Sequence, residues 1–492
     1  MVGRSFAVIG CLVFGSSWAA AAPAREGTEE TSSWIGKRAM TIKPGVEMKV
    51  YHPKQQRTEV LGSVDYPIID VETVQGDLLW VHSRGIRGWI RKSDAVLMDG
   101  AVSFFSSRIG HDPHDADAYF RRALAWHARG EEDNAIKDLS EVIRIDPDDA
   151  AAFSNRGAFR DEKREYELAL ADFSEAIRLD PTSAHAFYNR GYTYFLKKGY
   201  DEAIADFNEA LRLAPRYVWA YNNRGFAWYR KQEFDKALAD FDQAIQLDPK
   251  DAWAFANRGR VWTEKRQYDK ALNDCDEALR VDPESVLAFK NRGLTRLALK
   301  EYEKALADFD DAIRRSPQDA RLENHRGLAW LGVGDYDHAL SDLTEAIRLN
   351  PKDAEVFANR GDAWRARGED LAALADYSEA IRLNPAEARA YAGRASLWVS
   401  CADLEHRNGP KAVASARRAC ELSGWENPEW IETLAAAYAQ IERFDEAVKF
   451  EDLALKSGDF PSEGLAAARR RRDSYQKQQS QAEAQTVAAG GE

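Results

Sequence analysis

Residues 184–217 read AHAFYNRGYTYFLKKGYDEAIADFNEALRLAPRY, and residues 218–251 read VWAYNNRGFAWYRKQEFDKALADFDQAIQLDPKD. The two segments align without a gap. Both carry an aromatic residue fourth, asparagine sixth, arginine seventh, glycine eighth, alanine twentieth, aspartate twenty-third and proline thirty-second. Working outward, the proline recurs at Pro113, Pro147, Pro181, Pro215, Pro249, Pro283, Pro317, Pro351 and Pro385, always 34 residues apart. A fixed period of this length marks a chain built from one repeated supersecondary unit.

The other positions keep the same step. The aromatic series is Tyr119, Phe153, Phe187, Tyr221, Phe255, Phe289 and Phe357, and the small series runs from Ala123 through Gly157, Gly191, Gly225, Gly259, Gly293 and Gly327 to Gly361. Ala135, Ala169, Ala203, Ala237, Ala271, Ala305, Ala339 and Ala373 fill the twentieth position. Small residues facing large ones at helical spacing predict two amphipathic helices per repeat with closely approaching axes. The proline ends the second helix and opens the next repeat.

This pattern resembles the tetratricopeptide repeat family over residues 116–461. The resemblance implies a mainly α chain, a right-handed superhelical solenoid of helix-turn-helix repeats, in which each repeat buries its apolar face on its neighbours. Residues 116–387 read as eight regular repeats and 388–461 as two divergent ones. The ninth keeps Tyr391, Arg394 and Trp398 but carries an insertion around Asp403–Pro410, where Asn408-Gly409-Pro410 signals a loop.

Arginine at the seventh position recurs nine times: Arg122, Arg156, Arg190, Arg224, Arg258, Arg292, Arg326, Arg360 and Arg394. Aspartate at the twenty-third recurs eight times: Asp138, Asp172, Asp206, Asp240, Asp274, Asp308, Asp342 and Asp376. The tenth repeat has neither, with Leu434 and Phe450 instead. Joint presence and joint loss predict a partly buried ion pair linking the two helices of each repeat. Arg315, at an otherwise apolar position, and Glu323, in place of the aromatic, predict a local charge pair at the sixth-to-seventh junction.

The sixth position is Asn155, Asn189, Asn223, Asn257, Asn291 and Asn359, with Arg121 and His325 as variants. The series resembles the asparagine ladder known in the family, whose amides hold an extended peptide backbone in the concave groove. An amide offers a donor and an acceptor, which matches a peptide group of any sequence. The competing reading is hydration of the inner face. Tyr188, Tyr192, Trp219, Phe226 and Trp253 are assigned to the same face, as binding anchors or as packing between helix pairs.

The flanks differ. Residues 1–24 combine Arg4, an apolar run Phe6–Phe14 and Ala19–Ala22, the make-up of a signal peptide, which predicts a periplasmic or extracellular protein. Cys11 loosely fits a lipidation site, but the apolar segment runs past it. Residues 38–99 alternate short β-branched runs with Gly, Asp and Pro, predicting a small all-β barrel. Trp80-Val81 with Gly88-Trp89-Ile90 resembles the last hairpin of bacterial Src-homology-3-like domains, which implies binding to cell-wall peptide or to proteins. Residues 100–115 are expected to be a linker, 462–479 a polar capping helix and 480–492 a disordered tail.

Among 492 residues, 30% are charged and the net charge is −13, which argues against nucleic acid as the main partner. No GxxxxGK[ST], HExxH, GxSxG or GxGxxG occurs, and no catalytic, metal or cofactor site is expected. His111-Asp112-Pro113-His114-Asp115 reads as an exposed linker rather than a metal site. Cys275, Cys401 and Cys420 are too few for a disulfide fold. Export would permit a Cys401–Cys420 bond, although hairpin geometry offsets the two by roughly 9 Å. Two functions follow. One is a non-catalytic scaffold binding extended peptide segments in its groove. The other is a cell-wall module in which the β domain recognises peptidoglycan peptide and the solenoid is a spacer.

Overall fold

The computed structural model describes residues 34–52, 57–64, 67–83, 86–401, 407–456 and 462–489. The predicted signal segment, with Cys11, and residues 403–406 of the expected insertion lie outside them. Two compact units divide the chain between Pro249 and Lys250.

The first unit begins with seven strands: β1 (Arg38–Thr41), β2 (Val46–His52), β3 (Arg57–Val64), β4 (Ile68–Gln75), β5 (Leu78–Ser83), β6 (Ile86–Arg91) and β7 (Ala95–Leu97). They pair antiparallel in the order β3-β2-β6-β5-β4-β1-β7. Among the described residues no pairing of β3 with β7 closes this sheet into the expected barrel. Along β4, Ile69 and Val71 turn inward while Asp70 and Glu72 do not, the period-two alternation of a half-buried strand, and a register shift between Val71 and Thr73 puts Val74 on the inner face next. The anticipated hairpin is β5–β6, with Trp80 opposite Trp89 and their rings 5.2 Å apart edge to face. Gly88 lets β2 approach: a Cβ there would stand 2.8 Å from the Met48 Cβ.

Residues 98–111 are not a linker. They form α1 (Met98–His111), which lies one 34-residue period before α3 (Glu132–Ile145). Ala101 sits at the invariant alanine position and is fully buried. The helix is therefore the second half of an additional repeat whose first helix is missing. The sheet takes that place. Met40, Ile68 and Val96 pack with Met98, Ala101, Val102 and Phe105 in one core that continues into α2 (Ala116–Ala128) and α3. Arg108 Nη1 donates to the Ile42 carbonyl at 2.7 Å, and Arg121 Nη1 donates to the Thr41 carbonyl at 2.8 Å.

Three further pairs complete the unit: α4–α5 (Ala150–Glu162, Tyr166–Leu179), α6–α7 (Ala184–Leu196, Tyr200–Leu213) and α8–α9 (Val218–Arg230, Phe234–Leu247). Asp115, Asp149 and Ser183 cap the first helices of their repeats by accepting a backbone N–H from the first turn. Tyr217, at the equivalent place before α8, makes no such bond. The turn between the two helices of each repeat needs a left-handed residue. Gly130 supplies it in the first repeat at φ 76°, whereas Arg164, Lys198 and Gln232 adopt φ of 62°, 66° and 63°.

The second unit continues the pattern with α10–α11 (Ala252–Glu264, Tyr268–Val281), α12–α13 (Val286–Ala298, Tyr302–Arg315), α14–α15 (Ala320–Val333, Tyr336–Leu349) and α16–α17 (Ala354–Arg367, Asp370–Leu383). The divergent repeats are α18–α19 (Ala388–Ser400, Gly409–Leu422) and α20–α21 (Pro428–Gln440, Phe444–Lys456). Asn408 of the loop signal caps α19, accepting from the Lys411 N–H. Tyr377 on α17 fits between two first helices: a Cβ on Gly361 or Gly393 would stand 2.7 or 2.5 Å from its ring. Cys401 and Cys420 are buried thiols with no disulfide between them.

The terminal helix α22 runs from Ser462 to Ala489, so the expected disordered tail is helical up to that residue. It closes the last repeat through Arg471, which pairs with Glu432 of α20 and with Glu451 of α21.

Candidate peptide-binding face

All eight predicted Arg–Asp pairs form. In seven of them the guanidinium grips both carboxylate oxygens from two nitrogens in parallel, as Arg190 does with Asp206 at 2.8 and 2.7 Å. Arg292 also meets Asp308 through two nitrogens, its Nε shared between the two oxygens. The flat face of each arginine lies over the aromatic residue at its own fourth position where one is present, for example Arg156 over Phe153 at 5.4 Å. The remaining nitrogen reaches back to the preceding repeat. Arg156 meets Ser140, Arg190 meets Ser174 and Arg224 meets Asn208 in the first unit; Arg292 meets Asp276, Arg326 meets Asp310 and Arg360 meets Thr344 in the second. Each arginine thus ties three helices. Burial pushes Asp240 above the usual carboxylate range, against the opposing pull of Arg224. Arg315 and Glu323 do not pair as expected. Arg315 turns to Glu284 at 2.9 Å and Asp311 at 3.0 Å, and Glu323 takes Arg326 at 3.0 Å.

The asparagine series has two kinds of member. Asn155 and Asn223 are half-buried on the first unit's face, their amides donating to the Ala151 and Trp219 carbonyls at 2.8 and 3.0 Å. Asn189, Asn257, Asn291 and Asn359 are buried. Asn291 donates to the Ala256 carbonyl at 2.8 Å, and Asn359 donates to Asn324 Oδ1 at 2.9 Å while accepting from Arg389. These two amides join neighbouring first helices and are committed within the fold, a correction to their assignment as peptide ligands. The exceptions at this position also have structural reasons. Arg121 reaches the sheet, and His325 is pushed down to about 4 by burial and then by Lys290, Arg260 and Arg321.

The aromatic residues separate into groups. Tyr188 meets Tyr192, Phe207 and Tyr217 at 6.4, 5.8 and 4.9 Å between ring centres, and Tyr217 meets His185 at 5.2 Å. Asn223 donates to the Tyr188 hydroxyl at 2.8 Å, and Trp219, one turn before it, is 38% exposed. Phe226 stacks with Tyr229 at 5.8 Å and meets Phe195 at 5.5 Å, in a second group. Trp253, half-buried, opens α10 in the second unit beneath its Asp251 cap.

The sequence reading overlooked a basic group on the second unit's first helices. Burial and then Arg321 lower Lys290 to about 8, and Arg260 also acts on it. Lysine or arginine at the fifth, ninth and second repeat positions was the available signal.

Profiles described as tetratricopeptide repeat match residues 218–251, 258–324, 105–150 and 326–388, and one described as TPR repeat matches 162–198 and 193–232. Together they span more than half of the chain. No curated protein matches the sequence. Similar solved structures include yeast Tom70, 16% identical with a TM-score of 0.43 over 78% of this chain and 93% of that one. YrrB, described as a TPR protein with an unusual peptide-binding site, is 29% identical with a TM-score of 0.31 over 37% of this chain and 94% of that one. A tetratricopeptide repeat protein from Parabacteroides merdae ATCC 43184 is 22% identical with a TM-score of 0.42 over 52% and 98%. With the period, the helix pairs and these matching profiles in agreement, the chain belongs to the tetratricopeptide repeat family.

Proposed function

We propose that the protein is a non-catalytic scaffold of the cell envelope that binds extended segments of partner proteins on the first-helix face of its repeats. Trp219 carries this reading: a large apolar side chain, 38% exposed, one turn before Asn223, whose amide donates to the Tyr188 hydroxyl. Tryptophan and tyrosine in such settings dominate binding energy, and Asn223, whose two N–H donors go to Tyr188 and Trp219, offers its amide oxygen to a backbone N–H of any sequence. In the second unit, Lys290 favours an acidic side chain in the bound segment, Arg260 and Arg321 near it being paired with Glu264 and Asp319. Export rests on the make-up of residues 1–24. No described helix is long and apolar enough to cross a membrane.

The experiment is a peptide array probed with the exported chain, followed by affinity measurement on the best binders. Trp219→Ala is expected to weaken binding by about 2 kcal/mol and Asn223→Ala by about 1 kcal/mol. A folded Trp219→Ala variant with unchanged affinities overturns the reading.

One observation favours a second function, recognition of cell-wall peptide by an Src-homology-3-like β domain. A cleft of about 570 Å3 lies on the sheet, lined by Lys43, Glu47, Lys49, Trp89 and Arg91 among others. Retention on purified peptidoglycan, lost on Lys49→Ala with Arg91→Ala, is the result this second function requires.

A further inference from the structure

His127 ends α2, Glu132 begins α3 and Glu162 ends α4, so the junction of the first two regular repeats brings them together. One potential ligand atom from each lies within 4.8 Å of the other two. The imidazole is held flat against Phe159, with centroids 4.5 Å apart and planes 18° apart. Its Nδ1 is buried, has no hydrogen-bond partner among the described residues, and stands 3.7 Å from the Glu162 carboxylate. The adjacent Asp161 is engaged elsewhere, accepting from the Thr193 hydroxyl at 2.7 Å. The repeat pattern explains none of these three side chains.

We propose that His127, Glu132 and Glu162 bind a divalent cation of the zinc class, which fastens the first regular repeat to the second. One imidazole nitrogen with two carboxylate oxygens is a donor set for zinc or manganese, with water completing the coordination. Ligand bonds of about 2.1 Å place donor atoms of a tetrahedral site roughly 3.4 Å apart. The ring is fixed by its stack, and rotation of the two long glutamate side chains closes the remaining gap. A cation supplies what the site lacks: a partner for the orphaned nitrogen and a counter-charge for two neighbouring carboxylates. Because the three ligands converge only in the folded chain, binding raises the stability of this junction.

The test uses the full chain, cleared of metal by a chelator and titrated separately with Zn2+, Mn2+ and Mg2+ by calorimetry. One-to-one binding of Zn2+ or Mn2+ is expected, together with a rise in melting temperature. His127→Ala should weaken it about a hundredfold or more, since loss of an outer-shell partner alone costs up to that much. Glu132→Gln leaves the His127–Phe159 stack in place and should weaken binding at least tenfold, so the proposal stays testable if His127→Ala fails to fold. A His111→Ala, His114→Ala double variant should bind as the parent does. Absence of binding, response to Mg2+ alone, or unchanged affinity in Glu132→Gln overturns the site.

Discussion

The seventh-position arginine does three jobs with one planar group, and the ninth repeat shows what happens when a partner is missing. Arg394 keeps its ring contact with Tyr391 at 5.5 Å but finds Ser415 where the earlier repeats have aspartate. Burial lowers its pKa, with no carboxylate to offset the loss of water. Ser415→Asp should therefore restore the two-pronged pair and stabilise the second unit by about 1 kcal/mol, read as a higher urea midpoint. The converse change, Asp240→Ala, strands Arg224 and should cost about 3 kcal/mol, more than replacing both partners with leucine. The pair was legible because both members recur as single residue types. Its third partner, sixteen residues upstream, varies among Ser, Asn, Asp and Thr, and only the shared ability to accept a hydrogen bond unites them. Asn291 and Asn359 of the asparagine ladder turned out to bridge helices for a related reason. Periodicity assigns a residue to a face, but the closeness of the next first helix decides whether its amide meets solvent or a neighbouring carbonyl.

At the scale of elements, helices and their order followed from the period, while the ends and turns depended on features that it does not encode. Helix α1 carries Ala101 in phase and Pro113 follows it in phase, yet Phe104 stands where aspartate is expected and no aromatic first helix precedes it among the described residues. The turns tell a similar story. Gly334 and Gly368 sit at φ 88°, whereas Lys300 adopts φ 60° at the same repeat position. A side chain in that region costs about 1–2 kcal/mol, partly offset by the freedom glycine retains when unfolded. Gly334→Ala should destabilise by about 1 kcal/mol and Lys300→Gly should stabilise by about 0.5 kcal/mol, both measurable by denaturant titration. The α21–α22 contact adds a pH dependence. Burial raises Glu451 to about 7, against the pull of Arg471. Its folded pKa exceeds its unfolded one, so the folded chain takes up a proton and stability declines as pH rises from about 4.5 through 7. Glu451→Gln should thus stabilise the last repeat by about 1–2 kcal/mol at pH 8 and have little effect near pH 4.5. Equal gains at both pH values would show that the carboxylate is not the cause.

On the scale of the whole molecule, an array of repeats must shield the apolar faces of its first and last members. The second unit does so with α22, a helix of the kind the array already uses. The first unit does so with a β sheet, and this changes how the β region can be tested. A deletion of residues 38–97 would remove the Thr41 carbonyl from Arg121 and uncover Met98, Val102 and Phe105. Such a variant is expected to fray α1 and α2, with faster hydrogen exchange there, whatever the sheet binds. Loss of wall retention after deletion would then confuse a missing ligand site with an unfolded repeat. Surface changes avoid the problem, because Lys49 and Arg91 are exposed on β2 and β6, whereas the sheet meets the α1 core through Met40, Ile68 and Val96 of β1, β4 and β7. Replacing both with alanine should leave hydrogen exchange in α1–α3 unchanged. If the sheet is chiefly a cap, peptidoglycan retention and partner capture also stay as they were. If retention disappears while α1–α3 remain protected, the cleft is a binding site in its own right, and the scaffold carries two recognition surfaces rather than one.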